Sequence, residues 1–330
     1  MVGTMSNILL TGAGGYLGAV LQQVNFPLRH TIYPLDLGIF TSPFPYPYNK
    51  IDLKTGTFKR IMFPEDASID TVVHLAGISN DPSGEIDPAF TRRNNIDASK
   101  RLIDFALAAG VKKFIFASSA SVYGENDALV TEESPLNPKT HYAESKAVVE
   151  EYLLGVKELN PTIFRFGTLF GVSPKMRFDI AINLMVKDGL TTKKINVYGG
   201  GEQYRPFLHV EDAAAALLLI AGQMPTSVYF SGQIYNLCSS NIRIGSLAEV
   251  VANLTESEVI FNPYDHPDIR NYRMDCSKFL NRFGMEFTSI VSGVLSLKKW
   301  VEYNTLVLDN RDYYTIEAWK KYMKHESTIL

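Results

Sequence analysis

The stretch TGAGGYLG, Thr11 to Gly18, follows the apolar run Ile8-Leu9-Leu10 and decides how the chain is read. The widespread dinucleotide fingerprint G-x-G-x-x-G would need glycine at 17 if it began at Gly12. Leu17 stands there instead, and the spacing is Gly12, Gly15, Gly18, or G-x-x-G-x-x-G. A glycine turn at such a place lets the backbone bend tightly, approach a pyrophosphate and close a helix onto a strand; a Cβ obstructs each. The helix N-terminus then offers unpaired N–H groups and a positive dipole end to phosphate. Alone, the cluster reads equally well as a plain turn.

Its setting weighs toward a dinucleotide. A helix from about Tyr16 to Val24 follows, and a second strand, His30–Leu35, is closed by Asp36. An acid there accepts the ribose hydroxyls of NAD and repels the 2′-phosphate of NADP, so the expected cofactor is NAD. TVVHL (71–75) and KFIF (113–116) read as further strands, and the helix expected over Asn95–Ala109 carries apolar residues at 102, 103, 106 and 107. Another helix begins near Tyr142 and runs through ESKAVVEEYLLGVKEL, and Thr162–Phe166 is the next strand. TSPFPYPYNK (41–50) reads as loop. This alternation predicts an α/β fold, a Rossmann-like doubly wound parallel sheet covered on both faces.

Beyond about Gly171 the pattern turns irregular, with proline and glycine at 174, 189, 199–201 and 206. The expected division is an NAD-binding domain over 1–170 and a smaller C-terminal substrate-binding lobe over 171–330, with elements near 207–237 returning to the first sheet. The 330 residues, 46% of them hydrophobic, suffice for a sizeable core. A net charge of −3 leaves no basic surface to recommend nucleic acid or an anionic membrane as partner. Two cysteines, Cys238 and Cys276, make neither a disulfide framework nor a zinc cluster, which favours a reducing cytoplasm. The opening MVGTMSNILLTGAGG lacks the marks of a signal peptide. AAAALLLIAG (213–222) is too short to span a bilayer and reads as a buried helix.

TGAGGYLG, HLAG (74–77), FASSASVYG (116–124) and HYAESK (141–146) together resemble the extended short-chain dehydrogenase/reductase family, in its nucleotide-sugar epimerase/dehydratase branch, which includes UDP-glucose 4-epimerase-like enzymes. There G-x-x-G-x-x-G is the normal spacing, so the glycines belong to a different fingerprint. The resemblance continues through RFGTLFG (165–171), YRPFLHVED (204–212), YNL (235–237) and DIRNYRMDCSKF (268–279). It implies a cofactor site at Gly12, Gly15, Tyr16, Leu17, Gly18 and Asp36. It extends that site to Asp52 and Leu53 at the adenine, Leu75 and Ala76 at a strand end, and Asn95. Phe166, Gly167 and Leu169 would flank the nicotinamide. For the substrate it implies Ser121, Thr168, Arg177, Asn183, Arg205 and Arg270, the last in a spacing that departs from the branch's commonest pattern. It also implies a homodimer built on the helices Asn95–Ala109 and Tyr142–Leu159.

Tyr142 and Lys146 are four apart, which on a helix puts them on one face. With Ser119 just past a strand, they form the catalytic set that the resemblance implies, Tyr142 and Lys146 also touching the cofactor. Free tyrosine titrates near about 10. One cation about 5 Å away contributes roughly 3 kcal/mol at an effective dielectric of about 20, so Lys146 and a nicotinamide cation would bring the phenol to working pH. Ser119 would donate to the reacting oxygen.

Ala120-Ser121 stand where 4,6-dehydratases of the branch carry an Asp-Glu pair, which disfavours dehydration. Epimerisation of a nucleotide-diphosphate sugar through a 4-keto intermediate is the leading expectation, ahead of one-way oxidation or reduction. A non-catalytic NAD-binding relative would be signalled by loss of the tyrosine or lysine, and a reductase of small carbonyls would not call for the phosphate-reading arginines. His74 and His209 read as structural rather than metal-binding. The tail DNRDYYTIEAWKKYMKHESTIL reads as a helix packing locally.

Overall fold

A computed structural model describes residues 5–40, 48–55, 68–223, 231–263 and 270–329. Ile8, Leu9 and Leu10 are withdrawn from solvent because their strand, β1 (Asn7–Thr11), lies inside a parallel sheet. The other strands are β2 (Thr31–Asp36), β3 (Asn49–Lys50), β4 (Thr71–His74), β5 (Lys113–Ser119), β6 (Glu125–Val130) and β7 (Pro161–Phe166). They are followed by β8 (Thr168–Phe170), β9 (Lys194–Tyr198), β10 (Tyr204–His209), β11 (Gln233–Leu237), β12 (Ser240–Arg243), β13 (Glu258–Asn262) and β14 (Asn271–Met274).

Seven of these strands form the main sheet in the order β11-β7-β5-β4-β1-β2-β3, every neighbouring pair parallel. The chain leaves β1 in one direction for β2 and β3 and crosses to the other side for β4 and β5. A crevice therefore opens beyond the C-terminal ends of β1 and β4, where ligands bind in such sheets.

Side chains on successive strand residues point to opposite faces. Ile8 and Leu10 join a core under the helices Tyr16–Val24 and Val210–Ala221. Leu9 joins Val72, Leu102, Phe114, Val149 and Leu153 under the helices Ala98–Ala108 and His141–Leu154. The apolar run at 213–222 is thus a buried helix on the sheet. Smaller sheets stand apart from the main one: β12-β10-β8 and β13-β9 contribute to a separate core that includes Phe170, Phe178, Phe207 and Leu247, and β14-β6 to a smaller one with Val130, Tyr272 and Met274. Among the described residues no helix is long and apolar enough to cross a membrane.

Several expectations need correction. Residues 41–47 of the presumed loop lie outside the described residues, but Asn49–Lys50 form the edge strand β3 rather than loop. The helix expected from Asn95 begins with a wider π turn, Arg93–Asp97, before the α-helix Ala98–Ala108. The helix through Tyr142 stops at Leu154, not Leu159. Gly155 weakens it, and Asn160, at φ 41°, adopts the left-handed turn that delivers Pro161 to β7. The tail is helical over Thr315–Ile329, but it does not pack locally: Trp319 lies against Ile78 and Phe90 of the first lobe. The Cys238 and Cys276 thiols are both buried, 3.0 Å apart.

One buried ion pair fixes the helix His141–Leu154 to the sheet. Arg165 on β7 reaches Glu150 through Nη2 at 2.7 Å and through Nε at 3.1 and 3.2 Å. Ser118 donates to the same carboxylate, and Arg165 Nη1 donates to the Tyr123 hydroxyl at 2.9 Å. Removing one partner of such a pair strands the other charge in a low dielectric. Glu150→Ala should lower unfolding stability by about 3–5 kcal/mol in urea titrations; a loss under about 1 kcal/mol would contradict this account of the clamp.

Candidate active site

The glycine turn occupies the crevice between β1 and β4. Gly12 has φ +73°, and a Cβ there would lie 2.7 Å from the Ala76 amide nitrogen. At Gly18 a Cβ would lie 2.2 Å from the Gly12 carbonyl oxygen. The helix Tyr16–Val24 starts at Gly15, and no side chain caps it, so its first amides lack an intrahelical partner. Asp36, at the end of β2, accepts from the Gly14 amide at 2.9 Å and from Gly38 at 2.7 Å. Burial pushes its pKa up, and those amides oppose the rise.

A cavity of about 870 Å³ runs from this turn to residues of the smaller sheets, among them Val197 and Phe207. The end at the glycine turn is lined by Gly12, Gly15, Tyr16, Leu17, Gly18 and Asp36. Asp52, Leu53, Leu75 and Ala76 extend that wall, and Phe166, Gly167 and Leu169 face it farther along. Ser119, Ser121, Tyr142, Lys146 and Thr168 line its middle, and Arg177, Arg205 and Arg270 also reach it.

Two expected contacts are not among the lining residues. Asn95 is buried with its amide oxygen on the Ile78 N–H at 2.8 Å and its nitrogen donating to Ile78 O and Ser145 Oγ. Asn183 has no solvent exposure. It accepts from the Gly171 amide at 3.1 Å and donates to Arg177 O at 2.9 Å. Both amides are engaged within the protein, away from the cavity lining.

Tyr142 and Lys146 stand one turn apart on a helix capped by Thr140, whose hydroxyl accepts from the Ala143 amide at 3.1 Å. Lys146 Nζ donates to the Ala117 carbonyl at 2.7 Å and lies 4.7 Å from the Phe116 ring centre. Burial lowers its pKa to about 8 against the opposing charge of Glu150. The Tyr142 phenol is displaced the other way. Burial raises its pKa well above the ordinary value and Asp81 adds to the rise, while a Ser119 hydrogen bond and the Arg177 charge oppose it. Lys146 Nζ lies 5.8 Å from the Tyr142 ring centre, and of the chain's own cations Arg177 is the one that pulls the phenol down. Ser119 Oγ also lies 2.8 Å from Ser121 Oγ.

Arg177 and Arg270 are engaged with acids, and Arg205 with backbone carbonyls. Arg177 is clamped by Asp179, Nε to Oδ1 at 2.9 Å and Nη2 to Oδ2 at 3.0 Å, and Nη1 donates to Ser79 at 3.0 Å. Arg270 is paired with Asp81, and Arg205 donates to the backbone carbonyls of Tyr204 and Arg270. Sequence reasoning missed Ser79, Asn80, Asp81 and Asp179, all in the cavity wall. The first three follow HLAG directly past the end of β4, so the rule that ligands gather beyond strand ends at a switch point was the available signal. It also missed Trp319 and Thr315, which the terminal helix brings to the wall. Residues 268–269 of the motif around Arg270 lie outside the described residues.

Residues 8–238 match the family model described as the NAD dependent epimerase/dehydratase family. The chain belongs to this family. Among curated relatives, an uncharacterized UDP-glucose epimerase, YtcB, of Bacillus subtilis is 28% identical over 66% of this chain and 72% of its own length. A dTDP-glucose 4,6-dehydratase of Streptomyces griseus is 24% identical over 89% and 94%. Among solved structures, MoeE5 in complex with UDP-glucose and NAD superposes with a TM-score of 0.79 at 23% identity, covering 91% of this chain and 99% of that one. Membership makes this an NAD-dependent enzyme of the epimerase/dehydratase type. The glycine turn, packed so closely that a Cβ at 12 or 18 would strike backbone and followed by an uncapped helix N-terminus, fits such a cofactor.

Of the two histidines expected to be satisfied and structural, His74 is hydrogen-bonded through both ring nitrogens, whereas neither ring nitrogen of His209 has a hydrogen-bond partner among the described residues. His209 is buried edge-on to Phe170, ring centres 5.3 Å apart. His74, at the end of β4, sits between Thr11 Oγ1 at 2.7 Å and Ser99 Oγ at 2.8 Å, and burial lowers its pKa from 6.5 to about 3. The unfolded chain accepts a proton near 6.5 and the fold resists it down to about 3. His74 therefore draws stability away as pH falls through that window and has no such effect above it. In urea midpoints measured against pH, His74→Gln should flatten the decline between about 6 and 4; an unchanged acid limb would show that His74 is not its source.

Proposed function

We propose that the protein epimerises a nucleotide-diphosphate sugar with NAD, by transient hydride transfer through a 4-keto intermediate. The observation that carries this reading is one cavity holding the glycine turn, the Ser119–Tyr142–Lys146 set and the two guanidinium groups of Arg205 and Arg270. The cofactor would be held by the glycine turn and Asp36, by Asp52, Leu53, Leu75 and Ala76, and by Tyr142, Lys146, Phe166 and Leu169. Bound there, NAD supplies the hydride acceptor and later the hydride.

The chain's own residues manage the proton. Tyr142 takes it from the sugar hydroxyl and returns it to the keto oxygen, and Ser119 donates a hydrogen bond to the same oxygen. Lys146, held by Ala117 O and with its pKa near 8, anchors the ribose and keeps positive charge beside the phenol. Ser121 and Thr168 flank the sugar. Arg205 and Arg270 take the diphosphate, for which planar forks are suited. Arg177, its fork filled by Asp179, acts on Tyr142 through its charge.

Small uncharged Ala120 and the neutral hydroxyl of Ser121 offer no carboxyl pair for water removal, which supports epimerisation over dehydration. A one-way 4-ketoreductase or dehydrogenase is the second reading. The raised pKa of Tyr142 favours only its reductase direction, since a phenol kept protonated is the donor a ketone needs and not the base an alcohol oxidation needs.

A panel of UDP-, dTDP-, GDP- and CDP-sugars separates them: C4 epimers without net NADH support epimerisation, and stoichiometric NADH supports oxidation. Tyr142→Phe should retain NAD binding and lose turnover by at least about 100-fold. Near-normal turnover in that variant would remove Tyr142 from the mechanism.

A further inference from the structure

Asp81 and Arg270 come from opposite sides of the cavity. Asp81 opens the short helix Asp81–Gly84 just past the end of β4, and Arg270 immediately precedes β14 in the second lobe. Their side chains form an ion pair across the cleft, 13% and 22% exposed respectively. The other Asp81 oxygen accepts from the Thr140 hydroxyl at 2.6 Å, and Thr140 is the cap of the helix that carries Tyr142. Asp81 is therefore anchored on the first lobe whether or not Arg270 stays.

We propose that Asp81 occupies the Arg270 guanidinium as a stand-in for the substrate's diphosphate, so that a nucleotide binds by displacing a carboxylate. The proposal rests on the nucleotide-sugar reading above. Carboxylate and phosphate present the same paired oxygens to a planar fork and compete for it. Displacement leaves Asp81 held by Thr140 with one oxygen released into the cavity that Tyr142 also lines, an acceptor for a sugar hydroxyl. The ion pair thus disfavours capture of stray anions and selects a ligand that supplies both a diphosphate for Arg270 and a hydroxyl for Asp81. Asp81 is a specificity-determining residue in this scheme.

The test is calorimetric titration of the NAD-loaded protein with UDP, dTDP, GDP and CDP. Asp81→Asn keeps the size and the acceptor for Thr140 while removing the competing charge. It should bind the preferred nucleoside diphosphate about tenfold more tightly than the wild type, with NAD affinity unchanged. Arg270→Gln should bind it more weakly, and the double variant should show none of the gain. Asp81→Ser carries the same expectation if the asparagine variant folds poorly. Equal or weaker binding by Asp81→Asn overturns the proposal. So does a gain that survives Arg270→Gln, which would assign it to a general loss of negative charge. Failure of all four nucleotides to bind any variant would instead bring down the nucleotide-sugar reading itself.

Discussion

A Cβ on residue 18 would stand 2.2 Å from the carbonyl oxygen of Gly12, and one on residue 12 would stand 2.7 Å from the amide nitrogen of Ala76. Those two near-contacts hold β1, the first helix and the end of β4 closer than any side chain permits. The crevice owes its shape to that approach. Because β1 and β4 end together there, the loops that leave them face one space, and the strand after β4 sets Ser119 on the same side. The floor of the cavity is thus backbone, and the groups with chemistry stand around it.

Burial then sets the properties of those groups. The low dielectric that strengthens the Glu150–Arg165 clamp also disfavours charge on Lys146 and on the Tyr142 phenol. The two displacements run oppositely, toward a neutral amine and a neutral phenol. Burial thus disfavours uncompensated charge on either group. Arg177 is already placed to influence the phenol, and its own charge is balanced by Asp179.

The second lobe contributes cationic forks, and the fold answers them with anions: Asp179 for Arg177 and Asp81 for Arg270. A bidentate partner two residues away makes Arg177 part of the framework, whereas the pairing of Arg270 joins elements distant in sequence and lies partly open. The terminal helix closes the same region from outside, with Trp319 against Phe90, ring centres 5.8 Å apart. The wall of the site is therefore assembled from both ends of the chain.

The residues alone determined the parallel doubly wound sheet, the glycine turn with Asp36 behind it, and the shared helical face of Tyr142 and Lys146, since each is a matter of local spacing and periodicity. Most of the cavity wall was legible too, through motifs that sit at strand ends. Tertiary structure decided what local pattern cannot carry. Asn95 and Asn183 are polar residues at plausible places, yet their amides bond backbone and hydroxyl groups that the folded chain brings near. The protonation tendency of Tyr142 depends on burial and on Asp81 and Arg177, whose distances from it are set by packing across lobes. The seating of Trp319 on Ile78 and Phe90 has the same origin: a helix face is written in sequence, but the surface that receives it is chosen by long-range burial of apolar area, which no local spacing encodes.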